Sequence, residues 1–385
     1  MSKLFDRFLK DPSSVTCGGE DSCCGPASAQ RDCGQAEPKP APLKPGDRSW
    51  IVGSKETAIG EIPIVATRLS AADRLGSWRV RWGLGRLSYT VPPGLYGVGR
   101  PDAWSPVFVS ANYKMSFDHL RRALDGRDGW ILVLDTLGIN VWCAAGKGTF
   151  GTDELVRRIE LSGLAGVTSQ RMLILPQLGA PGVSAHEVTK RTKFRIVYGP
   201  VRAEDLAAFL DAGMKATPEM RKVRFGFRDR IILVPEEIVG VVVHKFFLAI
   251  VAVWALGLIV LKTSFFSLPA VLGAVLIGTV VVPAFLPWLP GRPFALKGWW
   301  LGLLWTAAFI ALRGVPESAA GWVSAGSYAL LLPAFSAFIA MGFTGSSPIT
   351  SLSGVVKEMK TAVPLILVSS ILGLAALITA AFLKA

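Results

Sequence analysis

The sequence predicts an α/β, Rossmann-like domain followed by an all-α polytopic membrane domain of about five transmembrane helices, and three observations predict it. From about residue 50 to residue 235 short apolar runs alternate with amphipathic stretches, which is the pattern of a mostly parallel sheet covered by helices on both faces. From about Lys245 onward the pattern changes to long apolar spans. Composition agrees: 51% of the 385 residues are hydrophobic and the mean hydropathy is +0.44, too apolar for two ordinary soluble domains.

Residues 1–48 read as a flexible tail, rich in Gly, Ser, Pro and Ala and carrying Cys17, Cys23, Cys24 and Cys33, with too few large apolar side chains to build a core. Residues 1–10 mix charges and lack the apolar stretch of a signal peptide. The folded part has Cys143 as its single thiol, so it is no secreted disulfide framework and is expected in the reducing cytoplasm. The α/β domain spans 49–240. β-rich material at 50–52, 62–66 and 78–82 leads into strands at 106–110, 130–135, 171–176, 194–198 and 230–234. Helices at 116–124, 152–164, 185–192 and 202–212 separate them.

The membrane domain covers 241–385, with spans at 246–261, 265–289, 298–312, 321–343 and 361–383. Most approach the ~20 residues that cross a hydrocarbon core. With the α/β domain facing the cytoplasm, loops 290–297 and 344–360 are cytoplasmic and carry Arg292, Lys297, Lys357 and Lys360, in keeping with the positive-inside bias. That makes the chain a multi-pass protein of the cytoplasmic (inner) membrane. No span holds a charge near its middle, which favours an anchor or docking platform over a transport path. Pro283, Pro287 and Pro290 are placed to kink or end the second span, and Trp299, Trp300 and Trp305 read as interfacial anchors. The net charge of +13, from 41 Lys+Arg against 28 Asp+Glu, is spread without a dense basic run. This argues against nucleic acid as a partner and leaves membrane lipid as one.

The segment that carries chemistry is Thr136-Leu137-Gly138-Ile139-Asn140-Val141-Trp142-Cys143-Ala144-Ala145-Gly146-Lys147, directly after the strand ending at Asp135. Ligands of doubly wound sheets bind in such loops, beyond the carboxyl ends of the strands. Asn140 is a favoured N-cap, which puts Cys143 in the first turn of a short helix. A thiolate there sits at the positive end of the helix dipole and is a strong, soft metal ligand. Ala144, Ala145 and Gly146 remove bulk beside it, so a large flat group fits against the helix. A lone Cys is ordinarily a small buried hydrophobe, yet a core helix gains nothing from the glycine, which costs about 1 kcal/mol. A phosphate-binding P-loop is excluded, because its glycine and Ser/Thr positions hold Val141 and Gly148.

The run Asn140 to Lys147 resembles the cap-helix signature of the mercury-methylating corrinoid proteins, the HgcA family. The architecture is similar too: a corrinoid domain like that of the corrinoid iron-sulfur protein's small subunit, then a five-helix membrane domain. The resemblance implies a corrinoid (cobalamin-type) cofactor whose cobalt is coordinated by Cys143, with Asn140 beside the sulfur and Val141, Trp142, Ala144, Ala145, Gly146 and Lys147 completing the cofactor-binding helix. It implies a corrinoid-dependent methyltransferase, in which the cobalt receives a methyl group from a methyltetrahydrofolate-linked donor and passes it to Hg(II), giving methylmercury. It also implies a ferredoxin-like partner with two 4Fe-4S clusters as electron donor. The other common corrinoid motif, Asp-x-His-x-x-Gly, does not occur around His119, His186 or His244.

Other readings stay open. The second reading is a membrane-tethered corrinoid carrier of methyl groups in one-carbon metabolism, without mercury as substrate. A permease with a soluble sensor domain is the third, disfavoured by the uncharged spans. Cys23 and Cys24, with Cys17 and Cys33 nearby, read either as a transient Hg(II) site or as incidental thiols.

Overall fold

The computed structural model describes residues 48–243, 267–345, 347, 348, 350 and 352–383. The tail cysteines, His244 and the first expected span at 246–261 lie outside the described residues. The chain divides into two compact units, with the boundary between Val223 and Arg224.

The first unit is built on a seven-stranded sheet: β1 (Ile51–Thr57), β2 (Gly60–Val65), β3 (Gly94–Val98), β4 (Val107–Ala111), β5 (Gly129–Leu134), β6 (Met172–Leu175) and β7 (Arg195–Tyr198), in the order β1-β2-β3-β5-β4-β6-β7. The pairs β2–β3, β5–β4, β4–β6 and β6–β7 are parallel; β1–β2 and β3–β5 are antiparallel. Every residue of β4 and β5 is buried, because helices cover both faces of the sheet. Alternate side chains feed two cores. Val107, Val109, Leu132 and Leu134 pack with Leu155, Ile159 and Val188 on one side, while Phe108, Ile131 and Val133 pack with Phe117, Leu206 and Phe209 on the other.

The chain leaves β4 for β5 on one side and β6 for β7 on the other. A topological switch point therefore falls between β4 and β6, where such sheets open a crevice.

Among the described residues this unit has six α-helices: α1 (Ala71–Arg81), α2 (Lys114–Ala123), α3 (Val141–Lys147), α4 (Thr152–Leu161), α5 (Ala185–Thr192) and α6 (Leu206–Asp211). Two sequence expectations are overturned. Residues 78–82 alternate like a strand, but a capping box starts a helix upstream: Ser70 Oγ accepts from the Asp73 N–H at 3.2 Å, and Asp73 Oδ2 accepts from the Ser70 N–H at 3.0 Å. The apolar run at 230–234 is no strand either. The Asp229 carboxylate accepts from the Gly226 N–H at 2.9 Å and starts α7 (Phe227–Ile231), which α8 (Val234–Val243) follows. The sheet gains β3 instead, a strand the hydrophobic pattern had not singled out.

In the second unit, α7 and α8 precede α9 (Ser267–Leu276), α10 (Val282–Phe285), α11 (Phe294–Arg313), α12 (Ala319–Gly342) and α13 (Leu352–Phe382). Four helical stretches, 268–285, 294–313, 319–345 and 353–382, are long and apolar enough to cross a membrane. They correspond to four of the five expected spans. Residues 277–281 form a π-helical turn just before Pro283, the kind of local widening that bends a helix. The α11–α12 contact rests on small residues: a Cβ on Gly298 would lie 2.5 Å from the Ser336 carbonyl oxygen, and one on Gly302 would lie 2.7 Å from the Pro333 Cα. Such spacing lets apolar helices approach closely where no hydrophobic force drives them together. Trp305, expected at the interface, instead points inward and donates from Nε1 to the Ala270 carbonyl at 2.9 Å.

A buried ion network ties α1 to α2. Lys114 Nζ reaches Asp73 at 2.6 Å and Asp118 at 2.8 Å, and Arg121, 0% exposed, reaches the same two carboxylates at 2.8 Å each. Burial alone would push the Asp73 carboxyl up, but hydrogen bonds from Lys114, the Ser70 N–H and Arg121 outweigh it and hold it well below the usual carboxylate range. Its contribution to stability is thus complete above the unfolded carboxylate value of about 4 and is lost as pH falls below that. Removing one partner leaves buried charge uncompensated. We expect Arg121→Ala to cost about 3–5 kcal/mol, read as a lower urea midpoint of the full chain in detergent, whereas wild-type protein keeps its midpoint down to about pH 4.5.

Candidate functional site

The parallel strands β4, β5, β6 and β7 end on one side of the sheet, and their following residues, Asn112, Asp135, Pro176 and Gly199, begin the loops of the site. Asn112 organises the loop after β5. Its Oδ1 accepts from the Thr136 hydroxyl at 2.8 Å, the Gly138 N–H at 2.9 Å and the Thr136 N–H at 3.2 Å, and its Nδ2 donates to Asp135 Oδ1 at 3.1 Å. The Asp135 N–H donates in turn to Glu154 Oε1 at 2.8 Å, which Arg158 holds from below at 2.8 Å. The loop so clamped turns sharply, with left-handed backbone at Leu137 (φ 57°) and Gly138 (φ 74°). At Gly138 a side chain is sterically barred, since a Cβ would lie 2.5 Å from the Leu87 carbonyl oxygen. Left-handed Leu137 costs of order 1 kcal/mol, and the surrounding bonds hold it there.

The turn delivers the chain into α3 with Asn140 as N-cap, its Oδ1 accepting from the Cys143 N–H at 3.0 Å, as the sequence predicted. After seven helical residues a left-handed Gly148 ends the helix. Its two faces differ. Val141, Ala144 and Ala145 are buried and join the core, whereas Trp142, Cys143 and Gly146 are exposed. Cys143 and Gly146 stand one turn apart on the outward face, and nothing lies within 4 Å of where a Gly146 side chain would begin. The thiol therefore stands on a flat, open, apolar ledge beside Trp142. Lys147 is half-buried at the end of the helix.

Next to this helix, at the switch point, lies a cleft of about 440 Å³. Phe108 and Ser110 of β4, Leu175 of β6 and Pro176 after it, Pro200 after β7, and Asn140 and Trp142 form its walls. Its size is that of a pocket for a small molecule or for part of a larger one. His119 and Glu204 also line it; burial and the neighbouring Arg122 and Arg81 guanidinium groups hold the His119 imidazole below its ordinary value. The structure thus gathers the whole predicted run, Asn140 to Lys147, on one short helix, but it points Ala144 and Ala145 into the core rather than toward a ligand. Sequence reading missed Asn112 and Glu154. Asn112 had only a weak local signal, a polar residue just past the carboxyl end of a buried strand, at the edge where ligands bind; Glu154 looked like any acidic residue in a first helical turn. Among the described residues no group of three or more His, Cys, Asp or Glu is gathered to hold a metal ion.

Fold and site together define a class: a doubly covered α/β sheet that offers one thiol, on a loop-borne helix beside a switch-point cleft, followed in the chain by apolar helices. Within that class, residues 85–210 match a family model described as the CO dehydrogenase/acetyl-CoA synthase delta subunit. That stretch includes β3 to β7, Asn112, α3 and the cleft. The chain is also similar to the gamma subunits of acetyl-CoA decarbonylase/synthase complexes. The one from Methanocaldococcus jannaschii is 31% identical over 127 residues, 32% of this chain and 26% of the relative. The one from Methanopyrus kandleri is 29% identical over 123 residues, 31% of this chain and 26% of the relative. The chain spans about a quarter of the length of these relatives.

Asn112→Ala would strip the loop of its central acceptor and leave the Thr136 and Gly138 N–H groups unpaired, each at about 1–3 kcal/mol. We expect folded sheet with a disordered 135–140 loop, seen as faster amide exchange confined to that loop and α3. Asn112→Asp keeps the acceptor but faces Asp135, and should loosen the loop less.

Proposed function

We propose that the chain is a membrane-tethered corrinoid protein that carries and transfers methyl groups, with Cys143 as the protein's ligand to the cobalt. The observation that carries this reading is the exposed thiol on the flat outward face of α3. A free metal ion needs several protein donors; a single soft donor on an open ledge suits a metal that brings its other ligands in a planar macrocycle. The residues fit such a group: Gly146 leaves the surface beside the sulfur bare, Trp142 offers an apolar wall, and the adjoining cleft takes an appended part of the cofactor. The similarity to acetyl-CoA decarbonylase/synthase subunits supports methyl chemistry, since decarbonylation of an acetyl group separates a methyl from a carbonyl. Bound there, a corrinoid supplies a cobalt centre that accepts a methyl group and yields it to an acceptor.

The chain's own residues do the rest. Asn140 fixes the first turn and so the direction of the sulfur; Asn112, Asp135 and Glu154 hold the loop that sets the height of α3. Such supporting residues typically govern ligand geometry by 10- to 100-fold in affinity or activity. The relatives support the carrier reading, with protein partners of a multi-subunit kind supplying or taking the methyl group. A finer reading, with Hg(II) as acceptor and methylmercury as product, has its own support in the run Asn140 to Lys147 and its likeness to the mercury-methylating signature. In this reading the electron-rich thiolate favours release of the methyl to an electrophile, a ferredoxin-like protein with two 4Fe-4S clusters supplies electrons, and a methyltetrahydrofolate-linked donor supplies the methyl. The apolar helices then hold the protein in the inner membrane as several passes, with the sheet unit in the cytoplasm.

Cys143→Ala is expected to leave folding intact, because the side chain is exposed, while reducing methyl transfer to the rate of free cofactor and removing the sulfur signature from the corrinoid's optical spectrum. A Cys143→Ala protein with unchanged spectrum and rate would sink the assignment. Cys143→His should retain cofactor with lowered transfer, since imidazole is a weaker electron donor. Purified protein supplied with methylcobalamin and Hg(II) separates the two acceptors: methylmercury formed above the free-cofactor rate supports the mercury reading, and its absence with intact cofactor binding leaves the carrier.

A further inference from the structure

The helix α1 carries its apolar stripe on the wrong side for a helix packed on a soluble core. Ala71, Leu75, Trp78 and Trp82 recur at helical spacing along one face, and that face looks outward. Leu75 is 59% and Trp78 56% exposed, with the Trp78 and Trp82 rings paired at 6.0 Å. The opposite face holds buried Val80 and the ion-paired Asp73. Arginines flank the stripe, Arg74 and Arg81 on one side and Arg79 on the other. The turn that follows adds exposed Leu84 and Leu87. Between residues 62 and 101 the single acidic residue is Asp73, and its charge is consumed inside the protein. Facing outward, then, are tryptophan, leucine and uncompensated positive charge.

We propose that α1 and the turn at 83–88 form a membrane-surface anchor that seats Leu75, Trp78, Leu84 and Leu87 in the headgroup region of an anionic bilayer. A narrow apolar stripe with arginines on both flanks is the arrangement of a helix lying in the interface plane, its guanidinium groups reaching up to phosphates on either side. A bilayer is also the one partner the chain keeps at hand: four of its helices are long and apolar enough to cross a membrane, which gives the surface a high local concentration. The anchor adjoins the site. The Leu87 carbonyl abuts Gly138, in the loop that leads to Asn140 and Cys143, so contact at the turn bears on the backbone that positions the thiol.

The test is amide exchange of the full chain in nanodiscs of phosphatidylcholine alone and of phosphatidylcholine with phosphatidylglycerol. We expect the 71–88 amides to exchange several-fold more slowly in the anionic discs, with the difference shrinking as salt rises. Leu75→Glu/Trp78→Glu should abolish it. Arg74→Gln/Arg79→Gln, which leaves the apolar stripe intact, should weaken docking about 25-fold, each arginine near an anionic surface counting for about fivefold. Exchange in the sheet strands reports whether either variant remains folded. Equal exchange of 71–88 in both kinds of disc overturns the proposal. So does protection that follows the number of protein copies per disc, which marks a second copy as occupant, or protection that appears only on adding an acidic protein.

Discussion

The side chain of Asn112 is the point on which the site depends. It stands at the end of β4, yet its bonds run almost entirely to the loop that leaves β5. The two strands are hydrogen-bonded neighbours over five residue pairs, so their relative height is fixed by the ladder, and Asn112 transfers that fixed height to Thr136 and Gly138. An amide suits the task as no carboxylate would: one end accepts from three donors while the other donates to Asp135. Each group it satisfies would otherwise be a buried polar atom without water, so the loop has one favourable path rather than several. The left-handed turn at Leu137 follows from this constraint. The backbone accepts a disfavoured conformation there because the alternatives break more than one hydrogen bond.

Below the loop the same logic extends into the sheet's covering helices. Glu154 belongs to the first turn of α4, where a carboxylate is favoured by the helix dipole, and it bonds both the Asp135 N–H and the Arg158 guanidinium. Helix α4 packs on β5 through Leu155 and Ile159. The position of α3 is thus determined twice, through β4 by Asn112 and through α4 by Glu154. For the proposed role of Cys143 such support matters, because a displacement of even about 1 Å weakens a designed contact severely.

Much of this was legible in the sequence, and the failures have physical causes. Asn140, Cys143 and the helix between them could be read because capping preference and loop position are local properties. The alternation of strands and helices from 106 to 198 was legible because fully buried strands leave short apolar runs. Residues 78–82 misled because Trp-Arg-Val-Arg-Trp alternates as a half-buried strand does, while the signal that decided for helix lay eight residues upstream at Ser70. Residues 230–234 misled because four consecutive apolar residues look alike in a strand and in a short helix; Asp229 was the distinguishing feature. Strand β3 went unnoticed since Gly94 and Gly97 dilute its apolar pattern. Trp305 looked like its neighbours Trp299 and Trp300 in sequence, but helical spacing turns it to the other side of α11. Asn112 shows in sequence only as a polar residue past the end of a strand; its role as a hub that joins loops 24 residues apart leaves no periodic trace.

The fold alone cannot choose the acceptor, because one doubly wound sheet serves many chemistries. What narrows the choice is the nature of the donor and its surroundings. For the proposed cobalt site an imidazole would be a moderate donor; this chain offers sulfur, the softer and more electron-rich atom. It supplies it unaccompanied by a nearby acid or base on the same helix, since Lys147 lies at the far end and Val141 to Gly146 are uncharged. In the proposed reading no proton need move for a methyl group to pass between soft centres, and the uncharged run Val141 to Gly146 offers no group to move one. In that reading the site holds and presents its cofactor, and discrimination among acceptors falls to access over the bare surface at Gly146.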